Sequence, residues 1–114
     1  MLPSINKLPR QQFDAVFTKT ASVFSKHLTL RYSRDGIENN SRFSVVVSKK
    51  VVKEAIERNK IKRQIYGILQ KYTKIIQKPY IGIFLVKKAC NLLSLPELKE
   101  EILFLLKKSG IKVD

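Results

Sequence analysis

The chain has 114 residues, 44% of them hydrophobic, enough for a packed core in one domain and too many for wholesale disorder. Its 23 Lys and Arg stand against 9 Asp and Glu, a formal net charge of +14. That excess repels itself in the folded state and calls for an anionic partner, with nucleic acid ahead of membrane or acidic protein. A single Cys90 excludes an intramolecular disulfide framework, and a single His27 leaves no Ser/His/Asp or Cys/His set to assemble. The expectation is one nucleic-acid-binding domain over 1–114, in the cytoplasm, with no membrane and no stable protein partner.

Met1–Arg10 reads as an extended leader interrupted by Pro3 and Pro9, without the apolar core of a signal peptide. Gln11–Lys19 places Phe13, Val16 and Phe17 at i, i+3 and i+4, the pattern of a short amphipathic helix. Lys26–Ser33 alternates, with Leu28, Leu30 and Tyr32 on one face and Thr29, Arg31 and Ser33 on the other, as in a half-buried strand. Turn formers at 35–40 then suggest an antiparallel hairpin with Arg42–Ser48, whose continuous Val45–Val47 implies cover on both faces.

From about Lys53 a long helix is expected, with Ile61, Ile65, Ile68, Leu69, Tyr72 and Ile76 on its apolar side and Gly67 inside it. Tyr80–Lys87 reads as a buried strand; its apolar run is about a third of a membrane span. Ser94 suits the N-cap of a last helix lined by Leu98, Ile102, Leu105 and Leu106, with Glu97, Glu100 and Glu101 near its positive end and Gly110 closing it. The order α-β-β-α-β-α, with room for one further short strand, describes an α+β sandwich: a small mixed sheet packed with about three helices.

Function concentrates in 48–66, SKKVVKEAIERNKIKRQIY. Residues 49–63 hold seven bases, Lys49, Lys50, Lys53, Arg58, Lys60, Lys62 and Arg63, against Glu54 and Glu57. At ~100° per residue, Arg58, Asn59, Lys62 and Tyr66 follow one flank of the apolar stripe, and Lys60 and Arg63 the outer face. Guanidinium groups can grip phosphate bidentately, ammonium groups add point charge, and Asn59 can address a base edge or a 2′-hydroxyl. A solvated helix face is the plain alternative, but the acids that normally intersperse such a face are nearly missing.

Lys49-Lys50 followed by Arg58-Asn59-Lys60-Ile61-Lys62-Arg63 resembles the signature of the bacterial ribonuclease P protein. The preceding RFSVVVSKK resembles that family's strand, with Ser44 where the family usually has Gly. The Phe13–Phe17 helix and the late pair Lys87-Lys88 fit in order, so the resemblance spans about residues 8–110. It implies a ribosomal-protein-like α+β fold with a left-handed β-α-β crossover. It further implies a subunit that joins a catalytic RNA and helps it remove the 5′ leader of precursor tRNA. The RNA and its Mg2+ would carry the phosphodiester chemistry.

By the same resemblance, Arg58, Asn59, Lys60, Lys62, Arg63 and Tyr66 face the catalytic RNA. Phe13, Phe17, Arg31, Lys49, Lys50, Lys53, Lys87 and Lys88 serve the leader. Two departures stand out: Tyr66 and Gly67 occupy positions where the family motif usually carries Arg and Glu. The first full strand leaves open whether Arg31 or Tyr32 enters the leader cleft, since adjacent side chains point to opposite faces.

Overall fold

A computed structural model describes residues 21–33, 41–72, 80–87 and 94–110. Its elements are β1 (Ala21–Phe24), β2 (Leu28–Ser33), β3 (Ser41–Val46), α1 (Ala55–Gln70), β4 (Tyr80–Val86) and α2 (Leu95–Lys108). The helix expected at 11–19 and the turn at 35–40 lie outside the described residues, as do Phe13, Phe17, Ile76, Lys88 and Cys90.

The four strands form one sheet in the order β1-β2-β4-β3. β2 is antiparallel to both β1 and β4, whereas β3 runs parallel to β4. The expected β2–β3 hairpin is therefore not formed. β4 inserts between the two strands, and β2 finds its hairpin partner in the short β1. The reason lies in β4 itself: YIGIFLV is apolar at every position, and a strand of that kind is stable only with both faces covered and both edges paired. The chain reaches it from β3 through α1, the β-α-β connection that parallel pairing requires.

One face of the sheet carries the main core. Leu28, Leu30, Phe43, Val45, Tyr80 and Phe84 pack beneath Ile61, Ile65 and Leu69 of α1 and Leu98, Ile102, Leu105 and Leu106 of α2. Three rings meet there: Tyr80 stacks on Tyr32 with centroids 6.3 Å apart and tilts against Phe43 at 5.9 Å. They close over Gly82, where a Cβ would stand 3.1 Å from carbons of both Phe43 and Tyr80. The Tyr80 hydroxyl reaches Ser109 Oγ at 3.0 Å, and because Ser109 donates to the Leu106 carbonyl at 2.7 Å, Tyr80 is the donor.

The capping signals work as expected in α2. The Ser94 hydroxyl accepts from the Glu97 N–H while the Glu97 carboxylate accepts from the Ser94 N–H, a reciprocal box that also holds the Glu97 pKa below the ordinary value. Gly110 ends the helix with φ of 95°, a left-handed turn that favours glycine. Glu101, by contrast, is not a mere dipole complement. It accepts from Ser25 Oγ at 2.7 Å and from the His27 N–H at 3.0 Å, and its Oε1 lies 2.9 Å from His27 Nδ1. His27, which has no legible role in the sequence, thus helps pin the β1–β2 turn to α2.

Candidate nucleic-acid interface

The sheet's second face follows from alternation and register. Ser22, Arg31, Ile83 and Ser44 form one cross-strand row; Phe24, Thr29, Leu85 and Val46 form the next. A third row holds Ser33, Ile81 and Arg42. Ile81 and Ile83 are buried, with Val46 and Leu85 packed against them, so the cationic and polar groups surround an apolar centre. Arg31 belongs to this face. Tyr32 belongs to the main core, where its ring meets Tyr80.

One end of this face is strongly basic. Lys87 follows Leu85 by two residues and is exposed, with its Nζ 5.5 Å from the centroid of the Phe24 ring. Because β3 and β4 are parallel, the exposed Lys49 and Lys50, just beyond β3, lie at the same end of the sheet as Lys87. Phe24 is 59% exposed and has no counterpart among the residues singled out from sequence. The only signal for it is its alternation with Val23, in a strand too short to read. An accessible ring beside an ammonium group suits a nucleobase and its phosphate.

The second surface is α1, and its two sides differ. On the side facing β3, Arg58 donates from Nη1 to the carbonyls of Val52 and Lys53 at 3.0 and 2.7 Å, clasping the segment before the helix to its first turn. Tyr66 is half-buried, and its hydroxyl accepts from the Val45 N–H at 3.1 Å, covering part of the open edge of β3. Burial raises its pKa, against the opposing pull of hydrogen bonds with Val45 and Ser44. Lys62 is half-buried between them, while Asn59, Lys60, Arg63 and Lys53 are exposed. The motif residues are thus divided: Arg58 and Tyr66 have structural bonds in hand, and Asn59, Lys60 and Arg63 project outward.

Metal-ligating side chains do not gather: among the described residues no group of three His, Cys, Asp or Glu is placed to hold an ion. No helix among the described residues is long and apolar enough to cross a membrane.

Comparison with known proteins gives the family and the fold. A family model described as Ribonuclease P matches residues 5–110. The ribonuclease P protein component of Microcystis aeruginosa is 35% identical over 97 residues, covering 79% of this chain and 81% of that protein. That of Clostridium kluyveri is 35% identical over 103 residues, covering 88% and 89%. Among solved structures, the RNase P protein of Staphylococcus aureus superposes with a TM-score of 0.82 at 19% identity, covering 96% of this chain and 98% of that one. That of Thermotoga maritima gives 0.77 at 21%, covering 90% and 96%, so both support the fold. The chain belongs to the bacterial ribonuclease P protein family.

Proposed function

We propose that the chain is the protein subunit of a ribonucleoprotein endonuclease that removes the 5′ leader of precursor tRNA. The exposed side of α1, with Asn59, Lys60 and Arg63, binds the catalytic RNA, and Arg58, Lys62 and Tyr66 support it from the half-buried flank. The second face of the sheet, with Arg31, Phe24, Lys87, Lys49, Lys50 and Lys53, takes the single-stranded leader. Phe13, Phe17 and Lys88 join that site by the family resemblance. What supports the division is the separation of exposed base: one set on the outer side of a helix, the other at one end of a sheet face with an exposed aromatic.

The protein's part is to bind and position. Phosphates of a folded RNA meet the α1 cations, and a flexible single strand gains charge neutralisation and stacking along the sheet, which orients the scissile bond relative to the RNA. Among the described residues no three His, Cys, Asp or Glu gather to hold an ion, and Glu101 is engaged with His27 and Ser25, and Glu97 with Ser94. We therefore assign Mg2+ and the hydrolytic chemistry to the RNA.

The test is reconstitution with a bacterial catalytic RNA at low salt. The protein should raise cleavage of leader-bearing precursor tRNA across a range of Mg2+, and no stimulation at any Mg2+ concentration sinks the reading. The double reversal Lys60→Glu, Arg63→Glu should weaken RNA affinity by about 100-fold, on the order of 1–2 kcal/mol per lost charged contact, and flatten its salt dependence.

A further inference from the structure

Between α1 and the start of α2 runs a groove of about 590 Å³, a size usual for small-ligand sites. Gly67 and Ile68 lie along its α1 side and Leu95 along its α2 side. Leu95 is 54% exposed, an unusual position for a large aliphatic side chain beside a cationic rim. That rim consists of Arg63, Lys71 and Lys99, with Gln64 among them and no acid in the lining. No ion pair joins any of the three cations to a described residue.

Gly67 is the informative residue. Glycine inside a helix is unfavourable relative to alanine, and the usual compensation is close packing against a neighbour. Here a Cβ would meet nothing within 4 Å, in contrast to Gly82, where packing demands the glycine. The missing side chain therefore leaves open space, and that space is the groove. Position 67 is also where the family motif usually carries Glu, which would both fill the groove and cancel part of its charge.

We propose that this groove receives an unstacked nucleobase of the catalytic RNA, with its flanking phosphates on Arg63, Lys71 and Lys99. The base would lie against Gly67, Ile68 and Leu95, and the Gln64 amide could address its edge. Three points favour this occupant over an apolar peptide: the acid-free cationic rim, the polar Gln64 amide beside the apolar walls, and continuity through Arg63 with the exposed cations of α1. Folded RNAs are recognised largely through such splayed bases, because their helical grooves conceal the base edges. The inference rests on the reading that α1 faces the catalytic RNA.

Gly67→Leu tests it, because leucine fills the groove without changing charge and favours the helix, so the fold should be retained or stabilised. RNA affinity should fall about tenfold while the melting temperature is unchanged or higher, with Gly67→Ala falling less. Dimethyl sulfate probing should reveal a base protected by the wild-type protein and reactive again with Gly67→Leu. Wild-type affinity and an unchanged protection pattern in Gly67→Leu overturn the proposal, as does weakened binding with every protected base still protected. If Gly67→Leu keeps its RNA affinity but loses binding of an amphipathic Glu/Leu peptide, the groove belongs to a protein partner and the proposal falls. Failure of the wild type to bind RNA would instead count against the underlying reading of α1.

Discussion

The two faces of the sheet are built from the same strands but carry different kinds of residue. Toward the helices, Leu28, Leu30, Phe43, Phe84 and the two stacked tyrosines are covered by α1 and α2. On the other face, an apolar centre of Ile81 and Ile83 is bordered by Arg31, Arg42, Lys87 and the exposed Phe24. The strands alternate sides residue by residue, so a stable core and a cationic surface lie a sheet's thickness apart and can be altered separately. Function can thus be tuned on one face at small cost to stability, whereas the reverse is not true: loss of the helix-side core removes the surface too.

The largest effect should come from that core. Phe84 is fully buried at the centre of β4, paired with Leu30 on one side and Val45 on the other. Phe84→Ala should lower stability by about 3–5 kcal/mol, read from urea denaturation, and RNA binding should fail only as far as folding fails. If this variant remained as stable as the wild type, the assignment of the helix-side face as the main core would be broken.

How much of this was legible in the sequence depended on distance along the chain. The α2 boundaries were readable because Ser94, Glu97 and Gly110 act within a turn of where they stand. β4 was readable as buried from its unbroken apolar run. Its neighbours were not, because pairing is a competition among strands far apart in sequence. The nearness of β2 and β3 favoured a hairpin, whereas the completed sheet places β4 between them. The Ser25–His27–Glu101 cluster joins residues more than 70 positions apart, beyond any local pattern. Tyr32 was partly legible, since it alternates in phase with Leu28 and Leu30, which leaves Arg31 for the other face. The basic residues of α1 were plain as a group. Their division was not: that Arg58 clasps Val52 and Lys53, and Tyr66 the β3 edge, required the packed neighbours to be in view.

Glu101 gives an intermediate effect and a pH signature. Burial alone would raise its pKa, but hydrogen bonds from the His27 side chain, Ser25 and the His27 N–H outweigh it, and the folded value lies below the ordinary 4.5. A depressed carboxylate contributes stability above its unfolded pKa and loses it as pH falls through the folded pKa. Glu101→Gln should therefore cost about 1–3 kcal/mol at neutral pH. That gap should narrow below about pH 4.5, where the carboxylate of the unfolded chain takes up its proton, and close as the pH falls through the folded pKa. Lys26, Glu97 and Glu100 line the same hollow, so urea melts of both proteins at matched pH isolate the contribution of Glu101. A gap independent of pH would mean that the carboxylate's charge has no part in holding the β1–β2 turn to α2.

The smallest effect on stability, and the sharpest test of the division between faces, should come from Lys87→Ala. Its ammonium lies 5.5 Å from the Phe24 ring centroid, and such a contact at an exposed site is worth about 0.5–1 kcal/mol. The fold should hardly register the change. Leader-bearing substrate should bind about tenfold more weakly at low salt, with the slope of log affinity against log salt reduced by about 0.7, the value for one phosphate contact on a single strand. Mature tRNA and the isolated catalytic RNA, which meet other surfaces in this scheme, should bind as before. Equal losses for substrates with and without a leader would show that the basic end of the sheet acts as diffuse charge. A loss confined to the leader would tie this end of the second face to the single strand.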